Sequence, residues 1–120
     1  MLLTPLGSSA EASRITMSGD FQNDTVSVAR SLKETIAISQ EEEGRSDAEK
    51  EAVDLITAYI SRYRNRSAVN STVSFTTMQT AGNAMAGHYK NFSNRPLPDQ
   101  LKERLNNELT KAEKLASNDN

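Results

Sequence analysis

The chain has 120 residues, 36% of them hydrophobic, 5% aromatic and none tryptophan, which bounds it to one domain whose lean core demands well-patterned amphipathic elements. It has no cysteine, which excludes disulfides, thiol nucleophiles, cysteine metal sites and thioether haem attachment among these residues, and no lipid anchor on an N-terminal cysteine is expected. No stretch reaches the roughly 20 apolar residues of a membrane helix, and a formal net charge of -2 predicts no nucleic-acid partner.

The first residues, Met1-Leu2-Leu3-Thr4-Pro5-Leu6-Gly7, are apolar, and Ala10-Glu11-Ala12 fits the small-x-small cleavage pattern of an export signal. Two readings stand open: the tail of a targeting signal, or a flexible N-terminus that matches by chance. Residues 1–15 are set apart on this ground, the folded unit is expected over 16–116, and 117–120 read as a polar tail.

The first helix is predicted from about Asp20 to Ile38. Val26, Ala29, Leu32 and Ile36 recur at three- and four-residue steps, after the start signals Gly19 and Asp20. Ser39 to Arg45, with Glu41-Glu42-Glu43 and Gly44, reads as a solvated linker. The second helix is predicted from Ser46 or Asp47, with Ser46 and Glu49 at capping-box spacing. Its stripe is Ala52, Ile56, Tyr59 and Tyr63, widened by Leu55 and Ile60. Acids in its first turns and Arg62, Arg64 and Arg66 near its end complement the helix dipole.

The third helix is predicted from about Thr72 to Asn91, with Phe75, Met78, Met85, Tyr89 and Phe92 on its buried side. Gly82 and Gly87 inside it each cost about 1 kcal/mol against alanine and point to close helix contact or a bend. Asn94-Arg95-Pro96-Leu97-Pro98 is a firm break. The fourth helix is predicted from about Pro98 to Ala116, on a stripe of Leu101, Leu105, Leu109, Ala112 and Leu115. Four amphipathic helices with short connections predict an all-α, up-down-up-down four-helix bundle.

Charge is polarised along the chain. Residues 39–54 carry seven acids and two bases, whereas residues 55–98 carry Arg62, Arg64, Arg66, Lys90 and Arg95 and no acid. Such polarity steers a charged protein partner, or it simply faces water. The same two options hold for Arg62, Arg64 and Arg66 beside Tyr59 and Tyr63: interface anchors, or helix-end charges over core tyrosines. His88 is the only histidine and has no Glu-x-x-His companion, so it reads as a surface or half-buried side chain and not as a metal ligand or catalytic base. Glu41-Glu42-Glu43 reads as a solvated charge run. Met78 and Met85 read as core filling, with a greasy docking groove as the alternative. The Asn-x-Ser/Thr triplets at Asn23, Asn65, Asn70 and Asn91 are chance in a chain rich in Asn and Ser.

Five blocks carry a resemblance: Gly19-Asp20-Phe21-Gln22-Asn23-Asp24-Thr25, Tyr59-Ile60-Ser61-Arg62-Tyr63-Arg64, Ser74-Phe75-Thr76-Thr77-Met78-Gln79-Thr80-Ala81, Ala86-Gly87-His88-Tyr89, and Asn94-Arg95-Pro96-Leu97-Pro98-Asp99-Gln100-Leu101-Lys102. In order and spacing, over about residues 16–115, these resemble the photosystem II assembly and repair proteins of the Psb27 family. The resemblance implies a four-helix bundle of the thylakoid lumen with no cofactor, no metal and no enzymatic activity. It implies docking on lumenal loops of the core antenna subunit PsbC while the manganese cluster is unbuilt or lost. On this reading the free protein is a monomer, peripheral to the membrane through protein contacts.

Two departures stand out. Bacterial members carry a lipidated N-terminal cysteine, and this chain has Ala10-Glu11-Ala12 where one would be expected, which resembles the non-lipidated plastid branch and predicts processing at Ala12–Ser13. Gly82 replaces a larger apolar residue, which predicts a locally loosened third helix. Contact residues are expected at Arg62, Tyr63, Arg64, Arg66 and Arg95, with Asp24 as a further candidate. A permanent peripheral subunit of photosystem II is the alternative role, and a helical-bundle carrier of metal or haem is a third that the lone histidine disfavours.

Overall fold

The computed structural model describes residues 15–38, 43–92 and 95–118. The Ala10-Glu11-Ala12 pattern with its Ala12–Ser13 junction, Glu41 and Glu42, Asn94, and the last two residues of the tail lie outside the described residues. Four helices form: α1 (Phe21–Ala37), α2 (Arg45–Tyr63), α3 (Val73–Asn91) and α4 (Asp99–Asn118), with no strand among the described residues. No helix among them is long and apolar enough to cross a membrane.

Consecutive helices pack on one another, α4 closes the ring against α1, and α1 and α3 meet only slightly across the diagonal. Cross-links fix the directions. Thr25 meets Tyr59 and Asp24 meets Tyr63, so α1 and α2 run antiparallel. Tyr59 stacks on Phe75 while Ile56 lies against Gly82, so α2 and α3 do the same. Glu113 takes Arg30 at 2.7 Å and Lys33 at 2.8 Å, and Lys33 also reaches Thr110 at 3.2 Å, which runs α4 antiparallel to α1. The up-down-up-down bundle is therefore the observed architecture.

The core follows the predicted stripes with local shifts. Val28, Leu32, Tyr59, Tyr63, Phe75, Met85, Leu105 and Leu109 are all at most 1% exposed. Each fully buried aliphatic side chain contributes about 1.5–3 kcal/mol. Val26 is only half-buried and Val28 takes the core position. Phe92 is 48% exposed, because α3 ends at Asn91 and the chain turns away. Leu115 is also exposed and Ala116 lies inside, a one-residue shift that lets the small side chain face the neighbouring helices.

Helix boundaries show which local signals operate. α2 starts at Arg45 after Gly44, whose φ of 89° turns the chain into the helix. The expected Ser46–Glu49 box is replaced by an Arg45–Glu49 ion pair of 2.9 Å, because the helix begins one residue before Ser46. Thr72 caps α3 by accepting a hydrogen bond from the Phe75 N–H at 3.2 Å. Pro98 sits just before α4 and its carbonyl accepts from the Lys102 N–H at 2.9 Å. α4 runs on through Ser117 and Asn118, past the predicted end at Ala116.

The two helical glycines of α3 differ. Gly82 is buried, and a Cβ there would stand 2.9 Å from Ile56 Cγ2, so the glycine lets α2 and α3 approach closely. A tight contact thus occupies the place where loosening was expected. A Cβ on Gly87 would meet nothing within 4 Å. Gly87→Ala is expected to stabilise the fold by about 0.5–1 kcal/mol through helix propensity. Gly82→Ala is expected to forfeit that gain or lose about 1 kcal/mol, because the stiff β-branched Ile56 must shift. Urea unfolding of both variants checks this. A higher midpoint for Gly82→Ala than for Gly87→Ala contradicts the close approach.

Candidate functional site

The pole where α1 begins, α2 ends and α3 begins gathers most of the expected contact residues. Its centre is the Asp24 carboxylate, 2% exposed. Residues 15–20 run across this pole as a strap before α1, with Ile15 and Met17 packed against the core. The Ser18 N–H donates to both carboxylate oxygens of Asp24 at 3.0 Å, the Ser18 hydroxyl donates at 2.7 Å, and the Gly19 N–H donates at 3.2 Å. The Ser18 hydroxyl oxygen in turn accepts from the Asp20 N–H at 3.1 Å. The bend at Gly19 has a φ of 93°, which glycine adopts without a side-chain clash.

From the other side the Tyr63 hydroxyl donates to Asp24. The Tyr63 ring is itself fully buried, edge-on to Phe21 at 5.2 Å and tilted against Tyr59 at 5.4 Å. The Tyr59 hydroxyl shares a 2.7 Å hydrogen bond with Thr25. Burial raises the pKa of the Asp24 carboxyl, but the hydrogen bonds from Tyr63, Ser18 and Gly19 outweigh it and hold the group below its ordinary value. Tyr63 is pushed up to about 12, first by burial, then by its bond to Asp24 and that carboxylate's charge, with Arg66 and Arg62 pulling the other way.

Arginines cover this buried pair. The Arg66 guanidinium lies 5.0 Å from the Tyr63 ring centroid and donates to the Gly19 carbonyl at 3.2 Å. The Arg62 guanidinium sits against Gly19: a Cβ placed there would be 2.8 Å from Arg62 Nη2. Arg62, Arg64 and Arg66 are all exposed. α2 stops at Tyr63, so Arg66 belongs to the following turn and reaches back over the ring. The turn is stitched by the Arg66 N–H to the Tyr63 carbonyl at 3.1 Å, the Val69 N–H to the Arg66 carbonyl at 3.0 Å, and the Asn70 side chain to the Arg64 carbonyl at 2.9 Å.

Two of the expected contact residues lie inside the bundle in the absence of a partner. Tyr63 and Asp24 are buried groups that bind each other, because the strap folds over them. The structure joins Arg62, Arg64 and Arg66 at one pole and leaves Arg95 at the other, beyond the end of α3. There His88 Nε2 lies 3.3 Å from the Arg95 carbonyl oxygen, and the His88 ring lies 5.2 Å from the exposed Phe92 ring. Among the described residues no group of three His, Cys, Asp or Glu side chains is placed to hold a metal ion. Sequence reasoning missed the strap. Its signal was the Ser18-Gly19 pair ahead of an acid on the buried side of α1.

Family comparison places the chain. The family described as Photosystem II Pbs27 matches residues 6–115. The photosystem II lipoprotein Psb27 of Synechocystis sp. is 39% identical over 114 residues, covering 95% of this chain and 85% of that protein. The chloroplastic photosystem II repair protein PSB27-H1 of Arabidopsis thaliana is 28% identical over 96 residues, covering 79% of this chain and 55% of that protein. The solution structure of Psb27 from cyanobacterial photosystem II superposes with a TM-score of 0.81 at 38% identity, covering 88% of this chain and 91% of that one.

Proposed function

The chain belongs to the photosystem II Psb27 family, and from that premise we propose that it is a non-catalytic assembly and repair factor that docks on the photosystem II core. Its docking partner is the lumenal face of PsbC, engaged while the manganese cluster is unbuilt or lost. The site of action is the chloroplast thylakoid lumen, where the bundle is held at the membrane through protein contacts and is a monomer when free. The observation that carries the reading is the basic pole: Arg62, Arg64 and Arg66, exposed together in a segment that has no acid from Leu55 to Pro98. Cations held this way favour an acidic or carbonyl-rich loop and speed its capture. Arg95 supplies a separate contact or pins the Pro-rich turn.

Capture of the tagged protein from thylakoids, followed by mass spectrometry, tests this. PsbC and its assembly partners are expected to co-elute, with more of the factor per centre on manganese-depleted cores than on oxygen-evolving ones. Equal stoichiometry on both would assign the protein to the permanent peripheral subunits instead. Absence of photosystem II subunits from the eluate would sink both roles.

A further inference from the structure

The docking arginines do not stand freely on the surface; two of them rest on the strap. Arg66 holds the Gly19 carbonyl at 3.2 Å and Arg62 lies against the Gly19 backbone. The strap's own position is set by Asp24, which takes the Ser18 N–H, the Ser18 hydroxyl and the Gly19 N–H. We propose that Asp24 is a positioning residue for the basic pole: it clamps Ser18 and Gly19, and the clamped strap seats Arg62 and Arg66 in one arrangement for the partner. This inference rests on the docking role of those arginines. It deepens that role by giving a buried carboxylate, which touches no partner, control over affinity.

The physical reason is side-chain entropy. A free arginine loses much rotamer freedom when a partner immobilises it, and a guanidinium already seated loses less. Tyr63 adds a second restraint, since it binds Asp24 through its hydroxyl and carries Arg66 on its ring face. Unclamping Gly19 therefore loosens both arginines at once, with their charge unchanged.

A binding cycle on manganese-depleted photosystem II cores separates this role from mere structural support. The proteins are wild type, Asp24→Asn, Arg62→Gln/Arg66→Gln and the triple variant, each shown folded by circular dichroism at the assay temperature. Asp24→Asn is expected to weaken binding about tenfold when the arginines are present and less than about twofold when they are absent. An equal loss in both backgrounds, or no loss, overturns the inference. Should Asp24→Asn fail to fold, Gly19→Ala replaces it. That variant keeps the carboxylate, but an alanine is strained at a φ of 93° and its Cβ would stand 2.8 Å from the Arg62 guanidinium, so it unseats Arg62 and disturbs the Gly19 carbonyl that Arg66 holds; it is expected to weaken binding only when the two arginines are present, and unchanged binding overturns the proposal. If Arg62→Gln/Arg66→Gln itself binds like wild type, the docking reading fails and this inference with it. If only the Asp24 and Gly19 variants bind like wild type, the docking reading stands and the positioning role alone is lost.

Discussion

Asp24→Ala is expected to lower the stability of the bundle by about 3 kcal/mol, the largest loss from any polar substitution at this pole. The carboxylate accepts from Ser18 and Gly19 on one side and Tyr63 on the other. After its removal Ser18, which is exposed, can turn its donors to water. The Tyr63 hydroxyl cannot, because its residue is 0% exposed. The orphaned hydroxyl and the lost charge-assisted bonds together set the size of the effect. In a domain of this size the midpoint of thermal unfolding is expected to fall by roughly 10–20 °C. Tyr63→Phe leaves Asp24 its strap donors and is expected to cost about 1–2 kcal/mol. Calorimetry of both variants checks the order, and a larger loss for Tyr63→Phe would contradict it.

The same carboxylate sets a pH signature. Burial opposes its ionisation, yet its hydrogen bonds prevail and depress the folded-state pKa below the ordinary 3.8. The folded state thus favours the ionised form. This stabilisation is present in full above the unfolded value and is lost as pH falls from there through the lower folded value. Asp24→Asn is expected to flatten that part of the acid limb of the stability curve.

Much of this was legible in the sequence. Four stripes at helical spacing are enough to fix an antiparallel bundle, and that topology alone puts the end of α2 beside the start of α3 and sends Arg95 to the other pole. The interior of the pole was not legible. A carboxylate early in an amphipathic helix ordinarily faces water, and Asp24 is buried only because Tyr63, 39 positions away, and a non-helical strap converge on it. Tyr63 carried two signals, a place in the apolar stripe and a place among arginines, and packing decided for the first. Phe92 looked buried by periodicity, but the helix ends before the stripe can reach it.

Charge reversal at the pole carries the largest expected effect on binding. Arg62→Glu/Arg64→Glu changes two exposed cations to anions within one helix end, so attraction to an acidic loop becomes repulsion. Affinity for photosystem II cores is expected to fall about ten- to a hundredfold at low salt, mostly through slower association. Rising salt screens exposed charges, so wild-type affinity declines and the gap between the two proteins narrows. The control is Lys50→Glu/Lys90→Glu, which makes the same change in charge on exposed residues near the start of α2 and the end of α3, toward the opposite pole. Its affinity is expected to stay within about threefold of wild type. The decisive measurement is the equilibrium affinity of these three proteins for manganese-depleted cores across a salt series. The docking account predicts a loss confined to the arginine variant and greatest at low salt. Equal affinity of the arginine variant and wild type at every salt concentration would contradict it.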